Sequence, residues 1–501
     1  MATTGDWVTP RLYGSPWFEK PILYYWAAAT GFLLHLPAEW AARLPSALAA
    51  LATALALCWL ARKHYANPSD LVRNPSLSAP LLFSTSVAAI GFARAAAPDM
   101  LFCASMTVAM ASAASVLRRN GALRGATRAT CVPCRVAGHL VLFGSSLGLA
   151  VLAKGPAAIL LAGGAIGLWA LATKQWRAAF RIGHPSAIVS FCVIALPWYT
   201  LCALRNPDFI RVFVFQHNFE RYLTPVFQHK QPIWFFGPIT ILALLPWTAF
   251  LIPAVRRGFE LGREHSWNDS PGFYFACWAI FPVLFFSFSQ SKLPSYILPS
   301  VPPLILLVAV SLSHLASSDS ASLRWIIALM GATWIALGLS AVRSMNRLPA
   351  NAAYNSGQLL VGPMWIAIVG GFAIVAIGIL RKQGGVVLSI LCVVLMVELA
   401  GLHVLPRLDP YLSARWHGEL LLNDRHLDRV FAYRLQRSWG YGLAFYLNHE
   451  VQEWSPADPD TALVLTTRDG LENLRKLGRF HGTLEERETG ILYVPVEPAP
   501  R

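Results

Sequence analysis

Long apolar runs recur along most of this chain, separated by short polar breaks, and the pattern predicts a polytopic all-α membrane bundle. The runs fall at 39–61, 77–93, 100–117, 138–153, 156–173, 185–204, 233–254, 271–290, 295–316, 325–343, 361–380 and 386–404. Most come close to the ~20 residues that a helix needs to cross a bilayer. The apolar stretch Ile22 to Leu36 is shorter and predicts a helix that lies at the interface or re-enters it. Beyond residue 405 the pattern changes. Arg429–Tyr433 alternates, Ala462–Leu465 and Gly490–Val496 are β-rich, and Asp469–Leu477 reads as a helix. Together they predict a small soluble α/β domain. The expected organisation is an outer loop and interfacial helix over 1–38, a transmembrane domain over 39–405 and an extracytoplasmic α/β domain over 406–501. That last domain carries no recognisable catalytic motif, and a packing or lid module is its plainer reading.

Charge sets the orientation. Of 501 residues, 55% are hydrophobic and only 13% charged, about half the charged fraction of a soluble domain. The net charge is +15, but the cations are spread through short loops rather than gathered on a soluble face, which argues against nucleic-acid binding. Arg62, Lys63 and Arg73 share one side with Arg118 to Arg135, with Lys174, Arg177 and Arg181, and with Arg256, Arg257 and Arg263. By the positive-inside bias that side is cytoplasmic. The remaining loops and the C-terminal domain then lie outside, in a bacterial-type inner (plasma) membrane. Twelve spans with the C-terminus outside put the N-terminus outside too, and residues 1–21 hold no segment that would carry them across. The count therefore predicts a further span upstream of Met1.

Basic residues on the outer side are the informative ones. Lys20, Arg94, Lys154, Arg221, His229 and Lys292 fall at or near outer ends of spans, where some long side chains simply snorkel to headgroups. Arg94 near Asp99 reads equally well as an ion pair joining loops or as a functional pair. Lys20, Arg221, His229 and Lys292 point to a bound anion, and a lipid-linked phosphate supplies one at this depth. The prolines of SQSKLPSYILPSVPPL (Ser289–Leu304) break a helix at membrane depth, which makes Lys292 and Tyr296 candidates for lining a polar cavity. Glu19 and His217 offer a carboxylate and an imidazole, a combination that suits zinc or manganese, although two ligands alone do not make a site and an interfacial histidine is the plainer reading of His217. Among eight cysteines, Cys131 and Cys134 form a lone CxxC in a basic loop. Without a second ligand pair, an ordinary loop is the better reading.

Five motifs occur in a fixed order: GDWVTPRLYGSPWFEKPILYYW (Gly5–Trp26), Ala93-Arg94 with Asp99-Met100, Ala153–Pro156 around Lys154, His217 to Trp234, and Ser291 to Pro299. Any one is weak; five in register are specific. The series resembles the family 39 (GT-C) glycosyltransferases, which include the protein O-mannosyltransferases and the 4-amino-4-deoxy-L-arabinose lipid A transferase. The resemblance covers nearly the whole membrane region. It implies the GT-C fold, with an outer-face site that moves a sugar from a polyprenyl-phosphate donor to a lipid or protein acceptor by a single inverting displacement. It implies that Lys20 and Arg221 bind donor phosphate, that Glu19 and His217 match a metal-binding pair, and that Asp99 matches a second, catalytic acid at the cavity. Lys292, Tyr296, His229, Lys154 and Arg94 join the expected phosphate-binding set. The family's Asp-Glu pair belongs ahead of Gly5, where this chain has only Met1–Thr4. The expectation is that the chain as it stands is impaired and that a longer gene product is the transferase.

Two other readings remain open on the sequence. A transporter or flippase of a lipid-linked anion would also want outer cations and broken helices, but transporters usually carry internal repeats with midplane sites, and none is visible. A non-catalytic family member is the third.

Overall fold

The computed structural model describes residues 1–65, 68–117, 132–223, 231–264, 271–318, 321–345, 350–381, 383–422, 430–455, 463–480 and 491–496. The chain divides into two compact units, Met1–Thr333 with Gly371–Leu391, and Trp334–Gly370 with Cys392–Arg501. Among the described residues, eight helices are long and apolar enough to cross a membrane, or up to ten if each of two bent pairs is one span. Two further apolar helices, Ala157–Thr173 and Pro271–Ser287, are shorter, at 17 residues each.

In the first unit the chain opens with a tight hairpin, Arg11–Leu12 against Ser15–Pro16. Tyr13 and Gly14 both have positive φ (52° and 78°), the turn geometry that matches the twist of a two-residue hairpin. After Pro21 comes the helix Leu23–Leu33, only 11 residues long, hence about 16 Å at the α-helical rise and too short to span. Asp99–Leu117 and the stretch Pro294–Ser317 lie deepest, with 78% and 89% of their apolar windows buried. The first of these is rich in Ala, Ser and Met, and such small or pliant side chains let helices approach closely where lipid offers no hydrophobic drive between them. Tyr274 Oη donates to the Met110 carbonyl at 3.0 Å, tying Pro271–Ser287 to this centre.

The sequence predicts single spans over 77–93 and 233–254; the structure bends both. Pro75–Ser84 and Val87–Ala93 meet at 60°, and Phe236–Ala243 and Trp247–Glu260 at 111°. Ser86 caps the second piece of the first pair, its Oγ accepting the Ala89 N–H at 3.3 Å. Pro246 brings no N–H to the break of the second pair. The two breaks satisfy each other: the Val87 N–H donates to the Leu245 carbonyl at 3.0 Å and Trp247 Nε1 donates to Thr85 Oγ1 at 3.2 Å. Hydropathy registers how apolar a run is and is blind to such pairing. As the prolines predicted, the stretch Ser289–Leu304 enters its helix through a 3₁₀ turn, Pro294–Ser300, before Val301–Ser317 begins.

In the second unit a three-stranded sheet orders Val430–Tyr433, Leu463–Thr466 and Leu492–Pro495, the first pair parallel and the second antiparallel. The strand period places Phe431, Val464 and Val494 on one buried face with Trp454 and Leu474, and Val430 and Leu465 on the other with Leu443 and Leu421. Helices Arg437–Leu447 and Arg468–Lys476 belong to the same unit.

Candidate active site

The opening loop is fixed before it reaches the site. Asp6 Oδ1 accepts the N–H groups of Val8 (3.0 Å) and Thr9 (3.1 Å), and Arg205 and Arg11 lie at 3.5 and 3.7 Å from its carboxylate. The Thr9 N–H, against the cost of burial and with help from the Val8 N–H, Arg205 and Arg11, holds the Asp6 carboxyl below its ordinary value. Trp198 Nε1 donates to the Val8 carbonyl at 2.9 Å, and Asn206 Nδ2 to Thr9 Oγ1 at 2.9 Å. Phe18 and Ile22 then insert among Leu152, Trp198, Phe209 and Phe213. With residues on either side buried in this way, Glu19 and Lys20 are delivered to the lining of a cavity.

That cavity holds about 520 Å³. Its walls are largely apolar, with Phe102, Leu160, Phe213 and Phe285 among them, while Lys20, Lys154, Glu19, His217 and the hydroxyl-bearing Tyr222, Ser289 and Tyr296 supply the polar part. A second cavity of about 530 Å³, with Arg205, Asn206 and Asp208 in its lining, shares Glu19 and His217 with the first.

Lys154 is placed by topology. It ends the helix Val132–Lys154, and Gly155, at φ 100°, turns the chain into Pro156 and the next helix; a residue with a Cβ would be strained there. Asp99 begins the helix Asp99–Leu117. The two helices are packed neighbours running in opposite directions, so an N-terminus and a C-terminus come level. An anion suits the first and a cation the second. Lys154 Nζ donates to Asp99 Oδ1 at 2.5 Å, with the side chains 13% and 16% exposed. Ser295 and Lys20 also act on this carboxylate. The ammonium stands 5.2 Å from the Tyr296 ring centre and 5.6 Å from that of Phe102, favourable cation–π positions.

The structure treats the other predicted residues unequally. Arg94 is exposed and forms no ion pair with Asp99; the pairing open on the sequence goes to Lys154 instead. Lys292 is 7% exposed, but its Nζ donates to the carbonyls of Ser289 (2.6 Å) and Gln231 (3.0 Å), and it does not line the 520 Å³ cavity. It acts as a strut between two loops. Tyr296 lines the cavity as expected. Arg221 opens the short helix Arg221–Leu223, directly before Tyr222 of the cavity wall. His229 and Cys131 lie outside the described residues. Sequence reasoning missed Ser289, Tyr222 and Phe102, which carry no charge to mark them, and the role of Asp6. Among the described residues no group of three or more His, Cys, Asp or Glu could hold a metal ion. Glu19 and His217 together supply two ligands, short of the three protein ligands of a catalytic zinc site.

The comparisons agree with this architecture. A family described as Dolichyl-phosphate-mannose-protein mannosyltransferase matches residues 1–213. The Undecaprenyl phosphate-alpha-4-amino-4-deoxy-L-arabinose arabinosyl transferase of Edwardsiella ictaluri is 34% identical over 324 residues, 65% of this chain and 55% of that one. The enzyme of the same name from Aeromonas salmonicida is 31% identical over 373 residues, 74% of this chain and 63% of that one. The chain is a homologue of the family 39, GT-C glycosyltransferases. It spans a little over half the length of these relatives. Crystal structures of ArnT from Cupriavidus metallidurans, apo and bound to undecaprenyl phosphate, superpose with TM-scores of 0.77 and 0.76 at 21% and 22% identity, covering 99% of this chain and 90% and 91% of theirs. The GT-C homologue described here thus has the ArnT fold and is a multi-pass membrane protein.

Proposed function

We propose that this chain is a membrane glycosyltransferase that moves a sugar from a polyprenyl-phosphate donor to a lipid or protein acceptor, with inversion, on the extracytoplasmic face of the inner membrane. The observation that carries the reading is the cavity of about 520 Å³ whose largely apolar walls also hold Lys20 and Lys154. An isoprenoid chain suits the walls and a phosphate suits the ammonium groups. The names of the relatives support a polyprenyl-phosphate sugar as donor. As the anomeric carbon–oxygen bond breaks, charge grows on the departing phosphate. Lys20, with Arg221 from the adjoining helix, would stabilise it there. Lys154 would share that role, and Asp99 would act through Lys154 by holding its ammonium toward the cavity. Tyr296 would support the same ammonium from its ring face. Arg94, His229 and Lys292 remain part of the proposed cationic environment, with Lys292 acting through the loops it joins. The proposal retains twelve spans and an extracytoplasmic α/β domain over 406–501, beside the loop region 1–38 and the membrane domain 39–405.

Transfer from a polyprenyl-phosphate sugar in detergent tests the reading. Lys20→Ala is expected to lower the rate by about 10²–10³-fold, the usual cost of one donor aimed at developing charge. Undiminished transfer by the variant would remove the phosphate assignment.

For a metal, Glu19 and His217 would be the protein ligands, leaving other positions to oxygen donors such as water or phosphate; no step is routed through it. Dialysis against a chelator is expected to strip zinc or manganese from the wild-type chain, measured as metal content, and Glu19→Gln with His217→Ala should hold none beforehand. Equal metal content in variant and wild type would rule the pair out.

A further inference from the structure

The helix Val132–Lys154 carries the candidate site at one end and a different feature near the other. Trp59, Arg62 and Lys63 of Ala38–His64 face Gly138 and His139 across an open cleft of about 670 Å³. Lys63 Nζ is 2.9 Å from His139 Nε2 and 5.4 Å from the centre of the Trp59 ring. The rings of Trp59 and His139 are 5.8 Å apart. Gly138 leaves its wall open, since a Cβ there would meet nothing within 4 Å. His139 lies roughly 22 Å from Lys154 along the helix at the α-helical rise, so the cleft and the candidate active site belong to opposite ends of the bundle.

What lies along the helix from the cleft decides what it suits. Leu48, Leu51 and Leu55 are 56%, 56% and 59% exposed, and their spacing puts them on the same helical face as Trp59 and Arg62. On the neighbouring helix Leu142, one turn from His139, is 40% exposed. A ribbon of apolar side chains therefore leads up to an indole and then to two cations, which is the order met on passing from acyl chains to headgroups. A soluble anion has no use for the ribbon. We propose that this cleft binds an anionic membrane lipid, its phosphodiester held by Arg62 and Lys63 and its acyl chains laid along Leu48, Leu51 and Leu55. Basic pockets between membrane helices suit such headgroups, and arginine pairs with phosphate oxygens through two parallel donors.

The test is retention of added lipid by the purified full chain, counted by native mass spectrometry after mixing with phosphatidylglycerol or phosphatidylcholine. The wild type is expected to retain one phosphatidylglycerol in preference to phosphatidylcholine. Arg62→Gln and Lys63→Gln should each weaken retention about fivefold, and the double variant about thirtyfold, at the usual contribution of a surface cation to an anionic lipid. Arg62→Lys with Lys63→Arg should keep most of it. Arg177→Gln with Arg181→Gln, which alters exposed cations outside the cleft, should change nothing. The single variants and the charge-keeping swap remain informative if the double variant does not fold. Equal retention of the two lipids, an equal loss in the Arg177/Arg181 variant, or displacement of the lipid by millimolar inorganic phosphate would overturn the proposal.

Discussion

Asp99 and Lys154 meet because one helix begins and the next ends at the same level. Both side chains are mostly buried, so removing either leaves a charge with its desolvation uncompensated, at a cost of about 3 kcal/mol or more. Asp99→Ala is therefore expected to lower the thermal midpoint clearly. Asp99→Ala with Lys154→Met should lower it by less than the sum of the two single changes, with a coupling of about 1 kcal/mol or more. Additive losses would mean the two groups do not depend on each other. The sequence put both residues at ends of consecutive apolar runs, yet proximity along the chain favoured Arg94 as the partner of Asp99. Distance in sequence misleads here because the helices return to the same membrane face. The bonding of Lys292 was hidden for a related reason. A cation beside proline-broken backbone looks like an anion site, but broken backbone also exposes carbonyls, and those of Ser289 and Gln231 take two of its donors.

At the scale of elements, the opening loop depends on Asp6. Its folded carboxyl is held below the ordinary aspartate value, so its contribution to stability is fully present above that value. It is lost as pH falls through the depressed folded value. The thermal midpoint of the wild type should exceed that of Asp6→Asn at neutral pH, by an amount set by about 1–2 kcal/mol of charged hydrogen bonding in a partly exposed site. The gap should close on acidification below about pH 4. A gap that persists unchanged at lower pH would show that the ionised carboxylate is not what organises the loop. Helices as such were legible: each apolar run has a helical counterpart, and the short stretch after Pro21 reads correctly as too short to span. The bends at Thr85–Ser86 and Leu244–Pro246 were not, since each depends on polar groups supplied by the other break.

At the scale of the molecule, the order of five motifs pointed to the GT-C glycosyltransferases, and the relatives and the shared fold agree. The strands of the second unit were also visible as β-rich segments between turns, because a sheet buried on both faces takes apolar residues at successive positions. What the motifs did not reveal is the shape of the cavity, whose walls come from the opening loop and from segments near residues 102, 160, 213 and 285. The central claim is that this cavity receives a polyprenyl phosphate, phosphate end toward Lys20 and Lys154. Photolabelling with a polyprenyl phosphate bearing a benzophenone on its isoprenoid chain, followed by peptide mapping, tests it most directly. The account predicts label on peptides around Leu160, Phe213 and Phe285, competed by unlabelled polyprenyl phosphate and much reduced in Lys20→Ala. Label spread over the exposed ribbon of Leu48, Leu51 and Leu55, indifferent to competitor and to Lys20, would contradict it.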